Sequence, residues 1–94
     1  MTVLSDSATG QRAMSGWIVY VLRCADATLY TGITNDLQAR LTVHNAGRGA
    51  KYTRSRLPVV LVYQELAADR SAALRREHEI KKLSVAEKRA LIRT

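Results

Sequence analysis

Two tyrosines, Tyr20 and Tyr30, begin the set of side chains in this sequence that could do chemistry. They sit in Val19-Tyr20-Val21 and Tyr30-Thr31-Gly32, one on each arm of what reads as a β-hairpin. Further on come Arg40 and His44, four residues apart on a predicted helix, and Glu77, a carboxylate where a second helix should be apolar. Tyrosine and histidine can move a proton, and arginine can grip a phosphate with two parallel donors. A carboxylate can hold a hard cation. Together these are the groups that hydrolysis of a phosphodiester with one metal ion requires.

The charge of the chain names a matching partner. Fifteen Lys and Arg against eight Asp and Glu leave +7 over 94 residues, with a sequence pI near 10.2. Such an excess points to nucleic acid or an anionic membrane surface. The membrane is the weaker reading, because no apolar run approaches the roughly 18–20 residues of a spanning helix. A lone cysteine, Cys24, excludes an internal disulfide and fits a reducing, cytoplasmic setting, nucleoid association included. With only His44 and His78 as further soft ligands, a structural zinc site is not expected.

The elements that must position these groups follow from pattern. Residues 1–15 are rich in Ser, Thr, Gly and Ala, with little periodicity and no secretory pattern; they read as a flexible tail. Residues 16–94 form one domain. Trp17 to Cys24 is an apolar, β-branched run that reads as a strand buried on both faces, and Leu29 to Ile33 is its hairpin partner. Asn35 offers an N-cap to a helix over 36–46, which carries a Leu37/Leu41 stripe and stops at Gly47. Residues 47–57 form a basic loop broken by glycine. Val59 to Leu66 is a third strand. Asp69 caps a helix to about Leu83, and Ser84-Val85-Ala86-Glu87 is a capping box opening a last short helix. The order β-β-α-β-α-α predicts an α+β fold: a small three-stranded antiparallel sheet flanked by helices.

Each candidate has a structural reading beside its functional one. At 100° per residue, Ala73, Leu74 and Ile80 define an apolar arc and Glu77 falls inside it, while Glu79 points away. Glu77 is then either a metal ligand or half of a buried ion pair, with Arg40 as a partner. Arg40 and His44 flank the leucine stripe, so both lean towards the sheet, where each could also serve as a plain hydrogen-bonding residue. Tyr20 and Tyr30 could simply be core aromatics. They share a face only if the hairpin pairs residues of equal parity, which an odd-length connection would provide. A cation beside either hydroxyl would lower its pKa and make it a base. Between Leu37 and Gln64 there is no acid, yet Arg40, Arg48, Lys51, Arg54 and Arg56 occur there with Tyr52 among them. That stretch suits a phosphate backbone better than it suits an idle solvated loop.

In these residues the chain resembles the GIY-YIG nuclease superfamily, in particular its small single-domain bacterial branch, related to the N-terminal domain of an excinuclease subunit. The two tyrosine tripeptides stand for its signatures. Asn35-Asp36-Leu37 with Arg40 and His44-Asn45 resembles its helix motif, Gly49-Ala50-Lys51-Tyr52-Thr53 its basic loop, and Arg76-Glu77 with Ile80-Lys81 its glutamate motif. Neither tripeptide spells the family name, and no Asn or Gln follows Gln64, although many relatives carry an amide near the end of the domain. The resemblance implies one divalent cation, Mg²⁺ or Mn²⁺, held by Glu77 with waters and the scissile phosphate. It implies Tyr20 as base with help from His44, Arg40 as phosphate clamp, and Tyr30 orienting phosphate or cation-held water. It thus implies an endonuclease on DNA ahead of RNA, selective for branched, nicked or single-stranded forms, in repair or turnover. The alternatives are a non-catalytic nucleic-acid-binding module and a subunit that cuts only with a protein partner. Oligomeric state is open.

Overall fold

The computed structural model describes residues 16–93. The expected tail over residues 1–15 lies outside the described residues. Strand β1 (Trp17–Arg23) is central, with β2 (Leu29–Thr34) and β3 (Val60–Ala67) pairing antiparallel on its two sides in the order β2-β1-β3. Five residues connect β1 to β2, and Asp26 fixes their turn: its Oδ1 accepts from the Thr28 amide at 3.1 Å and the Thr28 hydroxyl at 2.6 Å. The odd length sets the register. Tyr20 stands opposite Gly32 and Leu22 opposite Tyr30, so even-numbered residues of both strands share one face. Against β3 the register shifts between Val21 and Leu22, where Val62 is the extra residue of a bulge.

Helix α1 (Leu37–Asn45) and the single-turn α2 (Lys51–Arg54) belong to one face; α3 (Arg70–Lys81) and α4 (Val85–Ile92) belong to the other. Two cores result, one through each face of β1. Val19 and Val21 pack with Ala73 and Ile80 of α3, joined by Leu91 and Ile92 of α4. Tyr20, Leu22, Cys24 and Val59 pack with Leu37 and Leu41 of α1. Fully burying side chains of this size stabilises the fold by about 1.5–3 kcal/mol each. No helix among the described residues is long and apolar enough to cross a membrane.

The helix starts show where local signals won and where they slipped. Asp69 and Ser84 cap α3 and α4 as their spacing predicts, with Glu87 completing the capping box. At α1 the cap is Asp36 rather than Asn35. Thr34 receives the Asp36 amide on its hydroxyl at 3.1 Å, and the Asp36 carboxylate then accepts from the Ala39 amide at 3.1 Å. Leu74, placed on the apolar arc by arithmetic, is exposed; Ala73 and Ile80 carry the contact. The basic loop contains α2, a turn too short to show any periodicity.

Candidate active site

The hairpin register puts both phenols on the α1 face, with ring centroids 6.4 Å apart. Tyr20 is almost wholly buried, at 1% exposure. Its hydroxyl lies over Gly32: a Cβ there would sit 2.6 Å from Oη and 2.7 Å from Cζ. Only the smallest residue lets this phenol lie flat against the neighbouring strand. Tyr30 is half-buried beside it.

Helix α1 brings the next two groups down onto the phenols. The His44 ring is fully buried, with 6.0 Å between its centroid and that of Tyr20 and 5.4 Å to that of Tyr30. Its Nε2 is 3.0 Å from the Tyr20 hydroxyl and its Nδ1 is 2.9 Å from the Thr53 hydroxyl. Burial, with the charge of Arg40 second, pushes the imidazole below its ordinary value, so it is neutral at rest. Arg40 lies against the hydroxyls of Tyr20 and Tyr30, which push its guanidinium up. Among the described residues no carboxylate forms an ion pair with Arg40.

In the Tyr20 phenol the lowering expected from a neighbouring cation is present but outweighed by burial. Burial raises its pKa above 10.0; Arg40 pulls it down, but Tyr30 and Glu77 add to the rise. The arginine alone does not produce a resting phenolate. Glu77 is not in contact with this cluster: α3 lies in the other layer, and among the described residues the carboxylate pairs with Lys81 and acts on Tyr20 only through its charge.

Glu77 is largely sheltered, with 18% of its side chain exposed, as a polar group inside an apolar arc should be. Its ion-pair partner is not Arg40, however. Lys81, one turn on, sits 3.1 Å from Oε2 and supplies the counter-charge from within the helix. Among the described residues no three of His, Cys, Asp and Glu group together. A single carboxylate does not suit zinc, which wants several nitrogen or sulfur donors. It does suit magnesium, which keeps several waters and takes one or two carboxylates plus substrate phosphate.

The basic loop is divided in its roles. Arg48, Lys51 and Arg54 are exposed. Tyr52 and Arg56 are already engaged by the protein: Tyr52 stacks on Tyr30 at 6.1 Å, and the Arg56 guanidinium lies 4.0 Å from the Tyr52 ring centre. Arg56 also donates to Asp26 at the hairpin turn at 3.1 Å and to the Tyr52 carbonyl at 2.7 Å. It fastens the loop to the hairpin.

Two residues of the site had no role in the sequence reading. Thr53, fully buried, holds His44. Gly49 lets the loop backbone press on the ring, since a Cβ there would overlap Nδ1 and lie 2.8 Å from Cγ. The signal for both was present in the Gly49-to-Thr53 run, but it has no period and acts through a tertiary contact. A sizeable cavity lies elsewhere. It holds about 520 Å³ on the opposite sheet face, lined by Arg23, Leu29, Val62, Lys88, Arg89 and Ile92 among others.

Residues 16–90 match the family model of the GIY-YIG catalytic domain. The chain belongs to this family. Over 78 residues it is 55% identical to a UPF0213 protein of Desulfotalea psychrophila, covering 82% of this chain and 71% of that one. A UPF0213 protein of Staphylococcus haemolyticus is 52% identical over 79 residues, covering 84% and 96% respectively. The solution NMR structure of a UPF0213 protein from Bacillus halodurans superimposes with a TM-score of 0.53 at 42% identity, over 81% of each chain. The GIY-YIG fold, an antiparallel three-stranded sheet between helices, is therefore the architecture of this small domain.

Proposed function

We propose that this GIY-YIG domain is a divalent-metal-dependent endonuclease that hydrolyses phosphodiester bonds in DNA, in repair or turnover of that polymer. One observation carries the reading. Tyr20, Tyr30 and His44, from two strands and a helix, meet at hydrogen-bonding and ring-contact distances, the Arg40 guanidinium acts on both phenols, and the charge of Glu77 acts on Tyr20. Core packing alone gives no reason to place a cation without a carboxylate partner against two phenols. A phosphate does.

In this reading Arg40 binds the scissile phosphate by two non-bridging oxygens and opposes the charge that builds as water adds to phosphorus. Glu77 would hold one Mg²⁺ or Mn²⁺, Lys81 then giving up its carboxylate, and the cation would supply further positive charge against the charge building on the phosphate. Tyr20 is the base. As the water oxygen bonds to phosphorus, its proton passes to the Tyr20 oxygen and the phenolic proton passes to His44 Nε2. The phosphorus–oxygen bond to the departing strand breaks, and that oxygen takes a proton from solvent. Ordinary values of 10.0 for a phenol and 6.5 for an imidazole separate resting and charge-separated forms by about 5 kcal/mol. The shifts of both groups widen that gap, so the resting pair is uncharged. Tyr30, the more open phenol, orients phosphate or water. Arg48, Lys51 and Arg54 follow the backbone on either side of the break.

A second reading has its own support. The Lys81 pair on Glu77 and the near-complete burial of Tyr20 suit a nucleic-acid-binding module that keeps the scaffold without turnover. A third reading, a nuclease subunit that needs a protein partner, predicts a chain that is inert until extract is added. One experiment separates them: a panel of flaps, forks, single strands and duplexes with Mg²⁺ or Mn²⁺, beside Glu77→Ala and Arg40→Ala. The nuclease reading expects metal-dependent products from wild type and none from Glu77→Ala at unchanged DNA affinity. Equal cleavage by both would mean a contaminant or a wrong site, and binding without products would favour the module.

A further inference from the structure

We propose that Thr53 is a positioning residue that holds His44 in one tautomer, with hydrogen on Nδ1, so that Nε2 always presents its lone pair to the Tyr20 hydroxyl. This rests on the nuclease reading for its purpose but not for its geometry. The direction of each hydrogen bond follows from what its last member can do. The Ala50 carbonyl can only accept, and the Thr53 hydroxyl lies 2.9 Å from it. At that separation the two oxygens need a proton between them, and it can only be the threonine's. The Thr53 oxygen is then left with lone pairs towards His44 Nδ1, 2.9 Å away, and the ring nitrogen must be the donor. A neutral imidazole carries one N–H, so Nε2 is bare and accepts the Tyr20 proton across 3.0 Å.

Two further features favour this arrangement. Gly49 lies so close to the ring edge that even a Cβ would collide with Nδ1, leaving Thr53 as the partner that this nitrogen faces. The acceptor is also neutral. A carboxylate in place of Thr53 would draw a second proton onto the ring at rest, occupying Nε2 with hydrogen and closing the route from Tyr20. A hydroxyl fixes the ring's orientation without charging it. When the Tyr20 proton arrives at Nε2, the Nδ1–H bond to Thr53 stays as it was and no second proton has to move.

The test is the nitrogen chemical shifts of the two histidines, labelled in the full chain, with His78→Gln to assign them. Wild type should show a pyrrole-like Nδ1 and a pyridine-like Nε2 for His44. Thr53→Val, of nearly the same shape, should lose that pattern to a mixture or the opposite tautomer, with kcat down roughly tenfold to a hundredfold and DNA affinity unchanged. Thr53→Ser should restore both readouts. Hydrogen on Nε2 in wild type would overturn the proposal, as would a valine variant that keeps the tautomer and kcat. Should the valine chain fail to fold, the wild-type spectrum and the serine variant still decide. An inert wild type with the expected spectrum and its loss in Thr53→Val would sink the nuclease reading while supporting the tautomer lock.

Discussion

The sheet carries an arginine–tyrosine cluster on each face, and the two are built to opposite ends. On the α3 face, Arg76 holds Glu65 with two bonds of 2.8 and 3.2 Å, takes Glu79 at 3.2 Å, and closes on the Tyr63 hydroxyl that donates to Glu65. Every charge there has its opposite, and the cluster ties β3 to α3. On the α1 face, Arg40 acts on two phenols and, among the described residues, forms no ion pair. A satisfied cation is a structural part; in the proposed reading, the cation left without a counter-ion is there to meet a ligand's charge. On that reading the difference between Arg40 and Arg76 lies in who supplies the second charge: the protein itself for Arg76, a ligand for Arg40.

The sharpest way to break the comparison is to truncate each arginine in turn. Arg40→Ala should lower cleavage by about a thousandfold, near 4 kcal/mol of transition-state stabilisation, with melting temperature little changed. Glu77→Ala should cost at least as much activity. Arg76→Ala should do the reverse: nearly normal turnover per folded molecule, and stability lower by about 1–2 kcal/mol after allowance for solvent screening. Kinetics and melts on the same preparations check both. If Arg76→Ala lost activity and kept its melting temperature, the division of roles would be wrong.

Gly32 should come next in size. A methyl group at Gly32→Ala must displace the Tyr20 phenol, which it would meet at 2.6 Å. Overpacking of this kind costs about 1–3 kcal/mol of stability, and moving the base by an ångström costs about a hundredfold in rate. Unfolding curves together with cleavage of one good substrate would show both. A Gly32→Ala enzyme of normal rate would remove Tyr20 from the chemistry.

Much of the frame could be read before the fold was known, because its signals are local. β1 shows as a run of branched residues, α3 and α4 start at side chains that cap within three positions, and the length of the hairpin connection decides the face of the phenols. What could not be read was pairing across the chain. Glu77 chose Lys81, a neighbour on its own helix, over a distant arginine. Thr53 reaches His44 only because a single turn of helix, invisible to periodicity, lays the loop on the ring. The Arg76–Glu65 clamp joins a helix to a strand that bulges, and nothing in either segment names the other.

A smaller effect than these is the response of the structural cluster to acid. Burial works against ionisation of Glu65, but the bonds from Arg76 and Tyr63 outweigh it and hold the carboxyl below 4.5. A depressed folded value means the stabilisation is present above the usual carboxylate range and lost as pH falls through the folded value. Melting temperature should therefore drop on acidification below about pH 5. Glu65→Gln should flatten that part of the profile. An unchanged slope in the variant would mean other carboxylates carry the acid response.

The smallest effects should come from the loop, and there the same distinction recurs between arginines with and without a counter-ion. Lys51, Arg54 and Arg48 are exposed and, among the described residues, form no ion pair; Arg56 is held by Asp26. A cation that neutralises a phosphate releases a counter-ion, so each such contact adds about 0.9 to the salt slope of binding on duplex and about 0.7 on a single strand. Lys51→Ala or Arg54→Ala should weaken DNA binding only a few-fold while reducing the slope by about one contact. Arg56→Ala should leave the slope nearly unchanged, because its charge is already balanced, and should instead loosen Tyr52 from Tyr30. Affinities titrated against salt concentration check this directly. A full contact's loss of slope in Arg56→Ala would mean that the arginine leaves Asp26 for the phosphate on binding, and that the hairpin turn opens when substrate arrives.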